Sequence, residues 1–208
     1  MNKFERLKTM NPQEAQAFIA KIVGEDSAKK FFVEEPKTIM AAEAEVGSFI
    51  KYAGIEWVVL NRTASKVMVL AKHRLFDRAF DTNESNNWSK SSLRKELNNF
   101  NDKGFQRGFE HTENINKNDL VEFERDLTTD DGMTDYGKCK DYISLISCEE
   151  YRKFRKLIPN ADDWWWTLTG DSLVYSHYVR YVDSDGTLSG NFARSGNIWR
   201  ASALCSEI

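Results

Sequence analysis

Residues 164–186 read WWWTLTGDSLVYSHYVRYVDSDG, and this segment sets the architecture of the C-terminal part of the chain. It opens on three consecutive tryptophans and closes on Asp185-Gly186, a turn signal after which the chain returns through residues 187–200. Aromatic and β-branched residues favour strands, in which successive side chains alternate between two faces. The sequence therefore predicts a strand-rich region in which at least two of the tryptophans Trp164, Trp165 and Trp166 are buried in a core.

The same segment is rich in polar aromatic side chains. If residues 174–182 form one strand, even-numbered side chains lie on one face and odd-numbered side chains on the other. Neither face is apolar throughout, so a half-buried structural strand does not account for the pattern. Tyr, Trp and Arg dominate binding hot spots, and Tyr, Ser and Asn are typical of recognition surfaces. We predict a ligand-binding surface formed by Tyr175, His177, Tyr178, Arg180, Asn191, Arg194, Asn197 and Trp199.

Composition limits the classes of protein to which the chain can belong. Its 208 residues, 41% of them hydrophobic and 12% aromatic, suffice for one ordinary domain with an appendage. A net charge of -3 argues against a nucleic-acid partner, which usually meets a basic face. No apolar run approaches the roughly 20 residues of a membrane span, and the N-terminus lacks the apolar core of a secretion signal. We expect a chain that stays in the cytoplasm unless it is carried on a larger particle.

Cysteines and histidines indicate no metal site or cofactor. The three cysteines are widely spaced without a Cys-x-x-Cys pair, which predicts free thiols in a reducing compartment: Cys139, Cys148 and Cys205. The three histidines are not placed to complete a zinc site, and Asp130-Asp131-Gly132 does not match a calcium-binding EF-hand loop. Phosphate-loop, metalloprotease, nucleophile-elbow and dinucleotide-binding motifs do not occur. We therefore predict no metal, no cofactor and no catalytic residue.

Residues 1–45 are predicted to form a helical N-terminal segment and a linker. Asn11 is a suitable helix cap, Pro12 suits the first helical position, and Glu14 completes the capping pattern. Apolar residues then recur at helical spacing until Gly24. An amphipathic helix of this kind must bury its apolar face, so it could mediate oligomerisation.

Residues 46–208 are predicted to form one α+β domain of small antiparallel sheets and two helices. Its predicted elements are a meander over 47–52, 55–60 and 66–71, a helix after Ser92, a strand over 141–146, and a helix after Ser147. Residues 101–138 form a long polar stretch with few apolar anchors, which predicts a functional or mobile loop.

A series of landmarks runs from residue 46 to the C-terminus. They are Val46-Gly47 with Trp57, Trp88 with Leu93-Arg94, Tyr142–Ser147 before a Glu-bearing helix, Trp164-Trp165, Tyr181–Leu188 and Ala203-Leu204. This order resembles a phage and bacterial domain family of uncharacterised function with a C-type lectin-like fold. It is also similar to the variable proteins of diversity-generating retroelements. The family's Leu-Arg-Ser after the paired tryptophans is replaced here by Trp166-Thr167-Leu168.

The resemblance implies a C-type lectin-like fold and a non-catalytic function. It implies that the C-terminal segment binds a protein or cell-surface ligand, that this segment is hypervariable, and that the protein is cytoplasmic or virion-associated. The Glu-Pro-Asn and Trp-Asn-Asp motifs of calcium-dependent sugar binding are missing. Two alternatives stay open. One is an enzyme related to formylglycine-generating oxidases, which need a cysteine pair where this chain has only Cys205; the other is a structural phage protein assembled through residues 11–23.

Overall fold

The computed structural model describes residues 44–100 except Arg74 and Phe76, residues 114–195, the backbone of residues 204–207, and the single positions Phe18 and Lys21. The chain divides into two compact units, Met1–Lys37 and Thr38–Ile208. The elements given below all belong to the second unit. Of the predicted N-terminal helix only Phe18 and Lys21 are described, both as helical, and the helix and its role in oligomerisation stay predictions.

The second unit has an α+β architecture built from short elements. Its strands are β1 (Phe49–Tyr52), β2 (Ile55–Arg62), β3 (Val67–Ala71), β4 (Phe123–Asp126), β5 (Lys138–Asp141), β6 (Ser144–Leu145), β7 (Trp165–Gly170), β8 (Tyr178–Val182), β9 (Leu188–Phe192) and β10 (Leu204–Glu207). Its α-helices are α1 (Ser92–Leu97) and α2 (Cys148–Phe154), and short 3-10 helices span Trp88–Lys90 and Lys117–Asp119. The predicted class, with small antiparallel sheets and two helices, is confirmed. The C-type lectin likeness stays a prediction.

The largest sheet has five strands in the order β1-β2-β3-β10-β6. The predicted meander forms its first three strands, with Trp57 of β2 opposite Ala71 of β3. Strand β2 is buried on both faces, because Trp57 and Val59 face one hydrophobic core while Val58 and Leu60 face another. Strand β10 then inserts between β3 and β6, so that the end of the chain completes the sheet.

The second sheet, β7-β8-β9, joins the two cores through the tryptophans. Trp166 is fully buried in the first core, and its ring meets the edge of Phe80 at 6.1 Å. Trp165 is 3% exposed and lies in the second core, 5.7 Å from the ring of Tyr151 on α2. The prediction that at least two of the three tryptophans are core residues is confirmed, since Trp164 alone is only partly buried.

The predicted strand over residues 141–146 is wrong, because two strands of different sheets replace it. Strand β5 ends at Asp141, and β6 begins at Ser144. Between them, the side chain of Asn98 accepts hydrogen bonds from the amides of Tyr142 (2.9 Å) and Ile143 (3.3 Å) and donates one to the Ile143 carbonyl (2.9 Å). These side-chain bonds satisfy the backbone in place of a strand ladder.

The described part of the polar stretch, residues 114–138, is also more ordered than its composition predicts. Residues 101–113 lie outside the described part of the chain, whereas residues 114–138 contribute β4, part of β5, and three buried apolar side chains: Ile115, Leu120 and Leu127. The buried residue of β4 is Arg125, which is 3% exposed and pairs with Glu150 of α2. Because a charged residue occupies the inward position, β4 does not show the alternation of an ordinary half-buried strand.

Candidate functional site

A cluster of four aromatic rings, two of them exposed and two half-buried, lies where β8 begins and β9 ends. Tyr178 and Phe192 are direct cross-strand partners, with ring centroids 4.5 Å apart. His177 stacks on Phe192 at 5.5 Å with an angle of 22° between the ring planes. Tyr175 meets both His177 and Tyr178 edge-on at 6.5 Å. These four residues are called the aromatic surface below.

The exposure of the aromatic surface distinguishes it from the cores. Tyr175 is 59% exposed, Phe192 is 41% exposed, and the adjoining Val174 is 83% exposed. Tyr175 and Phe192 therefore bury little area on folding, whereas His177 and Tyr178 are half-buried. Contiguous exposed apolar area of this kind is typical of interaction sites.

The predicted strand over residues 174–182 forms only from Tyr178 onward, and residues 173–177 turn instead. The Ser172 hydroxyl accepts a hydrogen bond from the Tyr175 amide (3.0 Å), and the Tyr175 carbonyl accepts one from the Tyr178 amide (2.9 Å). Serine favours such local bonds over a strand ladder. The alternation predicted for residues 174–177 is therefore wrong, and His177 packs beside Tyr178 rather than on the opposite face.

Arg180 follows Tyr178 on β8, and carboxylates already pair with its charge. Its Nε lies 3.1 Å from Asp130 Oδ2, and its Nη1 lies 3.3 Å from Asp171 Oδ1. Asp130 also accepts a hydrogen bond from Arg152 at 2.7 Å, and it borders a polar cleft of about 250 Å³. Arg180, which the sequence predicts to bind ligand, thus ties β8 to the Asp130 turn.

Of the four remaining predicted site residues, two are described by the structure and two are not. Arg194 is exposed and forms an ion pair with Glu84. The Asn191 side-chain oxygen accepts hydrogen bonds from the Phe192 amide (2.8 Å) and the Ser195 hydroxyl (3.3 Å). Asn197 and Trp199 lie outside the described residues.

Three contributors to this site were missed by the sequence prediction: Val174, Phe192 and Glu84. Phe192 could have been found from a three-residue loop over residues 184–186, because counting outward from the Asp183–Thr187 pair places it opposite Tyr178. No such signal indicated Glu84, because it is far in sequence from its partner Arg194.

The loop that contains Glu84 is itself fixed to the end of β9. The buried Asp81 carboxylate accepts hydrogen bonds from the amides of Asn83 (3.1 Å), Ser85 (3.0 Å) and Ser92 (2.9 Å). The Asp81 amide donates to the Ala193 carbonyl (3.1 Å), and the Ala193 amide donates to the His177 carbonyl (2.8 Å). Backbone hydrogen bonds thus join the two segments that carry the aromatic surface to the loop that contains Glu84.

The described thiols are not activated. Burial, followed by the charge of Asp141, raises the pKa of Cys139 to about 11. Burial also raises the pKa of Cys148. A nucleophilic cysteine has a lowered pKa, so neither of these two has that property. The side chain of Cys205 lies outside the described residues.

Within the described residues, no group of three or more His, Cys, Asp or Glu side chains could hold a metal ion. In the same part of the chain, helices fall short of the length and apolar character needed to cross a bilayer. No protein-family model, curated protein or solved structure matches the chain.

Proposed function

We propose that the protein is a non-catalytic binding protein that recognises a protein or cell-surface ligand through the aromatic surface. The observation that supports this most strongly is the contact of four rings with one another while Tyr175 and Phe192 stay largely exposed. Packing of the hydrophobic cores does not explain why these two side chains are exposed. A binding partner would bury them.

The arrangement of the surface favours a macromolecular ligand over a small metabolite. The rings contact one another in edge-to-face, tilted and stacked arrangements, so they form a continuous surface rather than the walls of a pocket. The Glu84–Arg194 ion pair lies in the neighbouring loops and provides a charged border. An aromatic centre with a polar rim is the usual anatomy of a protein interface. The C-type lectin likeness and the hypervariability of this segment belong to the same proposal.

The test compares two double variants of the full chain. Tyr175→Ser with Phe192→Ser removes exposed apolar area from the aromatic surface. Phe49→Ser with Met133→Ser, the matched control, removes residues that are 44% and 46% exposed elsewhere. Each immobilised protein is incubated with an extract of the source organism's cells, and the captured proteins are quantified by mass spectrometry.

We expect the control to capture the same proteins as the wild type, and the Tyr175/Phe192 variant to lose them. Its Tm should stay within about 6 °C of the wild type, since each of the two exposed rings contributes roughly 1 kcal/mol or less. An unchanged captured set would contradict the proposal. A much larger fall in Tm would show instead that the rings stabilise the fold.

A further inference from the structure

The loop that displays Tyr175 is held by one buried side chain. Asn86 has no exposed surface, and its Nδ2 donates hydrogen bonds to the carbonyls of Ser172 (2.8 Å) and Tyr175 (3.2 Å). The Asn86 amide also donates to the carbonyl of Ser176 at 2.7 Å. Asn86 therefore donates hydrogen bonds to three of the five backbone carbonyls from Ser172 to Ser176.

The orientation of the Asn86 side chain is fixed from its other side. The Tyr136 hydroxyl donates a hydrogen bond to Asn86 Oδ1 at 2.7 Å, which leaves the Nδ2 donors directed at the loop. Burial raises the pKa of Tyr136, so its hydroxyl stays protonated. A Cβ at Gly170 would lie 3.0 Å from Asn86 Cγ, so the absence of a side chain on β7 makes room for the amide.

The loop held by Asn86 carries or adjoins three of the four rings of the aromatic surface. Tyr175 belongs to the loop itself, and its carbonyl is shared between Asn86 and the Tyr178 amide. His177 follows Ser176 directly and stacks on Phe192. A short loop loses conformational entropy when it is ordered, and fixed hydrogen bonds must offset that loss before a partner arrives.

We propose that Asn86 is the positioning residue of the aromatic surface, which it preorganises by holding residues 172–176 in their turned conformation. This inference rests on the proposed function, since positioning matters only if the surface binds. Asn86 does not contact the partner, because it is completely buried.

The test replaces Asn86 without changing its shape. Asn86→Asp keeps the acceptor facing Tyr136 but turns the Nδ2 donor into an oxygen that faces two carbonyls. Asn98→Asp is the matched control, because Asn98 Nδ2 likewise donates to two carbonyls, those of Arg94 (3.1 Å) and Ile143 (2.9 Å). Tyr136→Phe is a milder variant that removes only the bond to Asn86 Oδ1.

Two readouts report on the loop without any ligand. Amide hydrogen exchange is measured at Tyr175 and Tyr178, and NMR follows the imidazole of His177, one of only three histidines. In Asn86→Asp we expect about tenfold faster exchange at both amides, since a buried carbonyl loses its partner. We also expect the His177 resonances to move as its stacking on Phe192 loosens. Tyr136→Phe should change both readouts in the same direction by less, and Asn98→Asp should leave them unchanged.

The inference is overturned if Asn98→Asp accelerates the Tyr178 amide as much as Asn86→Asp does. It is also overturned if Asn86→Asp and Tyr136→Phe leave the exchange rate of the Tyr178 amide and the His177 resonances as in the wild type. Equal acceleration of exchange at the core amides of Val59 and Val69 would overturn it as well, because the effect would then not be confined to the loop. The capture assay above changes Tyr175 and Phe192 but not Asn86. The proposed function can therefore fail there while the positioning role stands here.

Discussion

At the scale of single residues, the two arginines predicted to bind ligand have different surroundings. The side chain of Arg180 is 21% exposed and lies between Asp130 and Asp171. The side chain of Arg194 is 66% exposed and meets only Glu84 among the described pairs. Charge pairs sheltered from water cost more to break than exposed ones, because removing one partner leaves the other poorly solvated.

We therefore expect Arg180→Met to lower the free energy of unfolding by about 1–3 kcal/mol, the range for hydrogen bonds to charged groups. Arg194→Met should change it by less than about 0.5 kcal/mol, as for an exposed ion pair. Urea denaturation of both variants measures the difference. Equal, small losses would show that Arg180 is not needed for the fold and would return it to the list of ligand contacts.

The sequence could not separate these two arginines. Both lie in the same polar segment, two residues after an aromatic side chain. Asp130, which pairs with Arg180, lies fifty residues earlier, in a turn whose composition predicts a solvated loop. That Tyr175, His177 and Tyr178 bind a ligand stays a prediction from their residue types. Their grouping into one surface depended on where β8 begins, which local serine bonds decide.

At the scale of elements, β4 is joined to α2 by the Arg125–Glu150 pair. Arg125 Nη1 lies 2.7 Å from Glu150 Oε1, and Glu150 Oε2 accepts a hydrogen bond from the Ser147 amide at 2.8 Å. Burial alone would raise the pKa of Glu150, but the hydrogen bonds and charge of Arg125, together with Ser147, outweigh it and lower that pKa. The capping box at Ser147 was predicted from the sequence. The sequence did not indicate that Glu150 of this box also pairs with the buried side chain of Arg125.

This pair makes stability depend on pH in a defined direction. Because the folded-state pKa of Glu150 is lowered, its contribution is complete above the ordinary glutamate pKa of about 4.3 and disappears as pH falls through the lower folded value. Glu150→Gln should cost about 2–4 kcal/mol at pH 7. The difference in the free energy of unfolding between Glu150→Gln and the wild type, which is the gap followed below, should then become smaller in acid.

Urea denaturation from pH 7 down to pH values below about 4 follows that gap. Glu149→Gln, on the exposed neighbour in the same helix turn, should track the wild type at every pH. A gap for Glu150→Gln that stays constant into acid would contradict the assignment of the pH dependence to this pair.

At the scale of the whole molecule, the last strand completes the main sheet. Strand β10 pairs with β3 through Cys205 and Leu70, and with β6 through Leu204 and Leu145. The meander of β1, β2 and β3 could be read from local alternation, but no local pattern indicates that residues 204–207 insert between strands distant in sequence. Long-range pairing of this kind depends on tertiary context rather than on propensity.

Deleting residues 204–208 should therefore abolish the cooperative thermal transition, since β3 would lose one of its two neighbouring strands and β6 its neighbour in the sheet, which leaves buried backbone groups without hydrogen bonds. Deleting residues 1–37 should leave the transition nearly intact, because the second compact unit begins at Thr38. The cut must not reach Ala44, which is buried and accepts a hydrogen bond from Arg62 at 3.2 Å. Circular dichroism follows both deletions, and light scattering shows whether the shortened chain changes its oligomeric state. A cooperative transition in the chain lacking residues 204–208 would show that the sheet does not need its C-terminal strand.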